Sequence, residues 1–122
     1  MRKHFVPILV LLASAFTVAA ADVTGNWKGT LTPENRDPGP ALVILKQTGD
    51  MVTGTGGQDE SDRHEITNGT VMGDTVTFEI QQQEGNMKFV LTLEGEALTG
   101  QVTRERNGQQ QTAKLNLKRE KS

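Results

Sequence analysis

The chain has 122 residues, no cysteine and a formal net charge of −2. That length is one domain, and the absence of cysteine excludes both a disulfide framework and a lipid-modified N-terminal Cys. An acidic balance without a basic stripe excludes nucleic acid as a partner class.

The first segment is read as an export signal. Arg2 and Lys3 precede an almost wholly apolar run from Phe5 to Val18, and Ala19-Ala20-Ala21 follows with small side chains. This order predicts a signal peptide over 1–21, cut before Asp22. The 14-residue apolar run falls short of the roughly 20 residues a helix needs to cross the hydrocarbon core, so no stable membrane anchor is expected. A secreted or periplasmic protein follows, with residues 22–122 as a single domain. Without Arg2 and Lys3, eleven basic residues face all fifteen acids, a net charge of −4 with His neutral. Only Trp27, Phe78 and Phe89 supply aromatic bulk to this part. A small domain without staples must then gain stability from well-packed aliphatics, which favours a closed, regular architecture.

Beyond Asp22, apolar and polar residues alternate and turn signals recur, with no period of 3.6, as in an all-β sandwich or barrel. In chain order the expected strands are Asn26 to Thr32, Ala41 to Thr48, Met51 to Gly56 and His64 to Met72. Then come Asp74 to Gln82, Met87 to Glu94, Ala97 to Arg106 and Gln110 to Arg119. Between them, Gly49-Asp50, Gly73-Asp74 and Gly95-Glu96 fit two-residue hairpin turns of type II′, and Asn107-Gly108 is a strong hairpin signal of its own. The remaining connections are 32–40, 57–63 and 83–86, the first two long and polar. In an eight-stranded antiparallel up-and-down barrel, tight turns then close one end and longer loops gather at the other, as in a cup.

Period-two parity assigns the interior. Trp27, Gly29 and Leu31 share a face; so do Val43, Leu45 and Gln47; Val76, Phe78 and Ile80; Met87, Phe89, Leu91 and Leu93; and Ala113, Leu115 and Leu117. Gly54 and Gly100 fall at inward positions, where a glycine marks a bend or room for close approach. Arg119 has the parity of Leu117, and the end of an eighth strand lies beside the start of the first. Geometry therefore sets its guanidinium on the Trp27 ring, a contact worth roughly 0.5–2 kcal/mol. This pair is expected to be structural, a plug in the closed end.

Gly25-Asn26-Trp27 resembles the Gly-x-Trp start of lipocalins and of the wider calycin group, which includes avidins and fatty-acid-binding proteins. Val23-Thr24-Gly25-Asn26-Trp27 and Val52-Thr53-Gly54-Thr55 are similar to the first and third strands of avidin-type barrels. In these families a Trp at the closed end packs against an Arg of the last strand. The chain also resembles small exported lipocalin-like domains of bacteria. The resemblance implies a ligand-binding barrel, though with one Trp and no Tyr it does not extend to a biotin site.

Residues that could carry chemistry are few. One His (His64) and no Cys beyond residue 21 make a zinc or copper site unsupported, and no cofactor is expected. Asp59, Glu60 and Asp62 crowd a loop without calcium-loop spacing and read as a solvated acidic turn. Ser61 and His64 are close in sequence but lack an elbow motif, and the acids take outward positions or turns, so no enzyme is expected. Asn68-Gly69-Thr70 matches a glycosylation sequon inside a strand, read as a chance match. The polar tracts 81–83 and 109–111 border the open end.

One constellation remains, at the mouth. Arg104 follows the inward parity of Val102, with Arg106 at the rim; His64 shares the face of Ile66, and Gln82 that of Ile80, next to Met87. A cation inside an apolar barrel needs an anionic partner: a ligand carboxylate, or Glu65, Glu84 or Glu105 from the rim. It can also snorkel to water with its stem on the wall. The expected function is binding of a small apolar or amphipathic ligand, with Arg104 and His64 as anchors and Phe78, Met87 and Phe89 as wall. The alternative is a packed barrel acting through its rim as a protein-interaction or inhibitor module.

Overall fold

Eight alternating strands, each joined to the next by a hairpin, roll into a closed antiparallel barrel whose last strand pairs with its first. The structure, a computed structural model, describes residues 22–83 and 85–121; the expected signal peptide lies outside the described residues. The strands are β1 (Gly25–Pro33), β2 (Gly39–Thr48), β3 (Met51–Asp59), β4 (Asp62–Met72), β5 (Thr75–Gln82), β6 (Gly85–Glu94), β7 (Ala97–Arg106) and β8 (Gln109–Arg119). Closure runs along β1 and β8 from Trp27↔Arg119 to Pro33↔Ala113. It removes both sheet edges.

The inward set is the alternating one. Trp27, Val43, Leu45, Val76, Phe78, Ile80, Leu91, Leu98, Leu115 and Leu117 are all buried in one cluster. A Cβ at Gly54 or Gly100 would fall on the main-chain carbonyl of Ile44 or Val90. These glycines therefore mark close approaches between neighbouring strands rather than open interior. Gly49, Gly73 and Gly95 have φ near +60° while the acidic residue after each does not, as type II′ turns require. Asn107 and Gly108 are both positive in φ, the I′ signature.

Three features depart from the expected layout. First, the 57–63 connection is mostly strand: Gly57 pairs with Arg63 and Asp59 with Asp62, around an irregularity at Gln58. The hairpin turns at residues 60 and 61, so the five-residue link 34–38 is the long connection at the mouth. Glycine and acid in this stretch look like loop, yet strand pairing uses the backbone and tolerates both. Second, β4 carries an extra residue against both neighbours, between Glu65 and Gly69 against β3 and between Thr67 and Thr70 against β5. Asn68 there adopts φ +54°, a left-handed conformation that Asn tolerates. The bulge switches parity, so Ile66 and Val71 both reach the interior, and the apparent sequon is a strand bulge. Third, Leu42 is buried on the outer side of the wall, in a depression shared with Lys28 and residues 58–61.

The lower end is sealed by residues 22–24 as much as by turns. Val23 and Trp27 are fully buried, and the Trp27 Nε1–H donates to the Val23 carbonyl at 3.0 Å. Gln47 tethers the segment: its Oε1 accepts from the Val23 amide, and its own amide donates to Thr24 Oγ1. Arg119 lies across the indole with Cζ 4.5 Å from the ring centroid. Its Nη1 donates to the Thr24 carbonyl at 2.6 Å, Nη2 to the Asp22 carbonyl at 3.0 Å, and Nε to Glu96 at 3.3 Å. One planar fork thus joins the ends of the described chain to the β6–β7 turn.

Arg119→Met will keep the stem and delete the fork. The expected loss is about 2–4 kcal/mol, since charged hydrogen bonds and a desolvated cation–π contact go together. Urea unfolding followed by Trp27 fluorescence reads it. The Asp22 carboxyl is held below the usual carboxylate range by the Thr24 amide and hydroxyl, and more weakly by Arg119. A depressed folded-state value contributes stability that is present above the unfolded pKa of about 4 and lost as pH falls through the folded value. Asp22→Asn should therefore flatten the acid limb of the stability profile, measured as urea midpoints between about pH 3 and pH 6.

Candidate functional site

The upper half of the barrel is not filled. β6 and β7 bring Met87 opposite Arg104, and β8 brings Gln111 to its other side. Arg104 Nη2 donates to Gln111 Oε1 at 2.9 Å. The stem of Arg104 passes over Gly85, where a Cβ would sit 3.3 Å from Cγ. Gly85 has φ +139°, so both its backbone and its missing side chain suit this crossing.

Beneath the guanidinium lies a chamber of about 190 Å³. Val43, Ile80, Phe89 and Leu115 form its apolar wall, with Leu31 and Met87 higher up. Its polar groups are Arg104, His64, Asp62, Gln82 and Gln58. Above it, under the 34–38 link, opens a vestibule of about 450 Å³ that shares Leu31, Met87 and Arg104 with the chamber. The vestibule adds Glu34, Arg36 and Asp37, charges of both signs. Arg104 stands at the boundary of the two spaces. A depression of about 540 Å³ lies outside the wall beside Leu42 and Lys28, touching the chamber's lining at Pro40 and Gln58.

Of the seven residues expected at a ligand site, His64, Gln82, Met87, Phe89 and Arg104 line one chamber. Phe78 and Arg106 line neither space. Phe78 is 1% exposed and stacks on Phe89 with centroids 4.5 Å apart and planes at 19°. It supports the wall without being part of it. Arg106 ends β7 opposite Gln109, past the chamber. The rim partner shown for Arg104 is the amide Gln111, its direct cross-strand neighbour, and that pairing is readable from the register of an Asn-Gly hairpin.

The acid near the site is Asp62. Its Oδ1 lies 3.0 Å from His64 Nε2, and its Oδ2 accepts from the Gln58 amide at 3.3 Å. Sequence reasoning missed it because the segment reads as loop; once Asp62 opens a strand, its contact with His64 two residues on is an ordinary same-face pair. Ser61 Oγ donates to Asp59 at 2.7 Å, so its hydroxyl is directed at a carboxylate rather than at His64. Among the described residues, no group of three or more His, Cys, Asp or Glu could hold a metal ion. No described helix is long and apolar enough to cross a membrane. No protein family matches the chain, and neither a curated protein nor a solved structure does.

The two arginines stand in opposite roles. Arg119 is woven into three carbonyl or carboxylate contacts at the base, whereas the Arg104 guanidinium lies at the boundary of open space. Arg104→Met keeps the stem over Gly85 and deletes the hydrogen bond to Gln111, so the loss should be about 1–2 kcal/mol, smaller than at Arg119. Urea midpoints for the two variants, measured side by side, check the contrast.

Proposed function

We propose that the protein is an exported, non-enzymatic binding barrel of the calycin, lipocalin-like type, taking a small apolar or amphipathic ligand through the open end. The observation that carries this reading is the apolar chamber that meets a polar vestibule at Arg104. A chamber of 190 Å³ is smaller than the roughly 300–1,000 Å³ usual for ligand sites, and the vestibule supplies the difference. An amphipathic molecule suits that division: apolar body below, acceptor group at the guanidinium. Arginine presents five N–H donors in a fixed fork, so one side chain can hold a carboxylate beside the partners it already has. Asp62 does not oppose this arrangement, because its oxygens are directed at His64 and Gln58.

The competing reading, a packed barrel acting as an interaction or inhibitor module through its rim, requires a filled interior. The volume beneath Arg104 is an argument against it. The Trp27–Arg119 base and the meander order support calycin kinship, and the charged start and apolar run of residues 1–21 support export.

Native mass spectrometry of the purified protein should reveal a co-purifying small molecule, and a panel of carboxylic acids should raise the melting temperature. Arg104→Ala should weaken a bound carboxylate by about 1.5–3 kcal/mol, the scale of a charge-assisted hydrogen bond. A bare protein that no acid stabilises would overturn the proposal.

A further inference from the structure

We propose that the outer face of β4, β5 and β6, toward the base, is a contact between two copies of this chain, related by a two-fold axis that crosses β6 at Leu91. It lies on the outside of the wall and does not depend on the binding reading of the chamber.

Among the described residues, the large hydrophobic side chains left exposed are Met51, Met72 and Val90, at 62%, 78% and 54%. Apolar residues scattered singly on a surface are ordinary, but these three fall in two adjoining rows of one field. Register carries the upper row from Met51 through Thr70 and Thr77 to Val90. The lower row runs from Met72 through Thr75 to Thr92. Neither row holds a charged residue over this span. The Thr70 and Thr77 hydroxyls lie 3.0 Å apart and bond each other across the strands. An uncharged, partly apolar field with a polar rim is the kind of surface that another protein covers.

The charges that bound the field identify the occupant. The outward side chains of β6 are, in order, Lys88, Val90, Thr92 and Glu94, all exposed. A cation stands at the mouth side and an anion at the base side, equally spaced from Leu91. A partner of one charge sign would match one end of this strip and be opposed at the other. A second copy turned end for end matches both, because Lys88 of each copy then meets Glu94 of the other. Such a self-complementary patch is what a two-fold contact requires. The same rotation sets Val90 over Thr92 and Met72 over Thr70, so each large side chain faces a short one. Glu79, beside Lys88 in the register, is engaged on its mouth side by Asn86, whose Nδ2 donates to it at 2.7 Å.

The contact is small. Lys88 to Glu94 spans about 20 Å and three strands about 14 Å, a footprint at the low end of specific interfaces, where association is weak and reversible. A dissociation constant of about 10–100 μM follows.

Sedimentation velocity of the purified protein between about 1 μM and about 1 mM should show monomer passing to dimer and to nothing larger, since a two-fold contact closes on itself. Lys88→Glu or Glu94→Lys alone sets like charges at both ends of the strip and should raise the dissociation constant about tenfold. The two changes together restore opposite charges and should bring it back to within about threefold of the parent's. Val90→Asp, which sets an unpaired charge beside the axis, should leave only monomer. All three positions are exposed, and a parental melting temperature shows that each variant is folded. A chain that stays monomeric throughout overturns the proposal and leaves the field to a different partner. A dimer indifferent to the single charge changes, or one that the double change fails to restore, overturns it too. If a charge variant does not fold, the parental series and Val90→Asp decide.

Discussion

The barrel depends on one side chain reaching back to the beginning of the described chain. Arg119 covers the Trp27 ring and donates to carbonyls of residues 22 and 24, 97 and 95 positions away in sequence. Every other strand pairing is between neighbours in the chain; β1 with β8 alone is long-range. An aliphatic core drives collapse without direction. The guanidinium fork, by contrast, has a geometry that fits one closure register, Trp27 opposite Arg119. The three base turns reinforce it, each adding a rung to the strand beyond: Asp50, Asp74 and Glu96 carbonyls accept from the amides of Val71, Leu93 and Arg119.

From that fixed base the two ends of the lumen diverge. Below, Val23, Trp27, Leu98 and Leu117 leave no exposed surface to speak of. Above, β3 and β4 run on past the core as a long hairpin, and the side chains facing the lumen become His64, Gln82, Met87 and Arg104. An eight-stranded barrel is wide enough to be filled by side chains or to hold one small ligand. Here the two states occupy opposite ends of one barrel. The stacked Phe78 and Phe89 lie at the transition, one ring in the packed region and the other on the chamber wall.

Much of this was legible from residue order. Gly-acidic pairs announced the base turns, and alternation named the core, because both signals are local. Trp27 with Arg119 needed only parity and the adjacency of first and last strands. What escaped were features that depend on backbone exceptions or on volume. The bulge at Asn68-Gly69 leaves a dipeptide that also reads as a modification motif, and nothing in the period warns that Val71 will face inward two residues later. The acidic hairpin at 57–63 hides a strand, and with it Asp62 beside His64. The chamber is set by side chains from all eight strands together, so no single segment announces it. Arg106 and Phe78 follow the right parity, yet one stands too far up the lumen and the other is covered by its partner ring.

Closure by the last strand has a consequence for folding. The strand that seals the cylinder follows the other seven in chain order, so until it pairs with β1 the meander carries two open borders, β1 and β8. Pairing them is the slow, entropically expensive event in a topology otherwise built from nearest neighbours. Unpaired borders invite intermolecular strand addition, and lysines are a common protection against it. Lys28, Lys114 and Lys118 lie on those two strands, with Lys28 directly opposite Lys118 in the closed register. The like charges that would spoil an ordinary ladder are reconciled by Glu120, whose carboxylate is 3.0 Å from Lys28 Nζ. The same lysines thus discourage strand addition to the unfinished sheet, and the acid that settles them lies directly after β8.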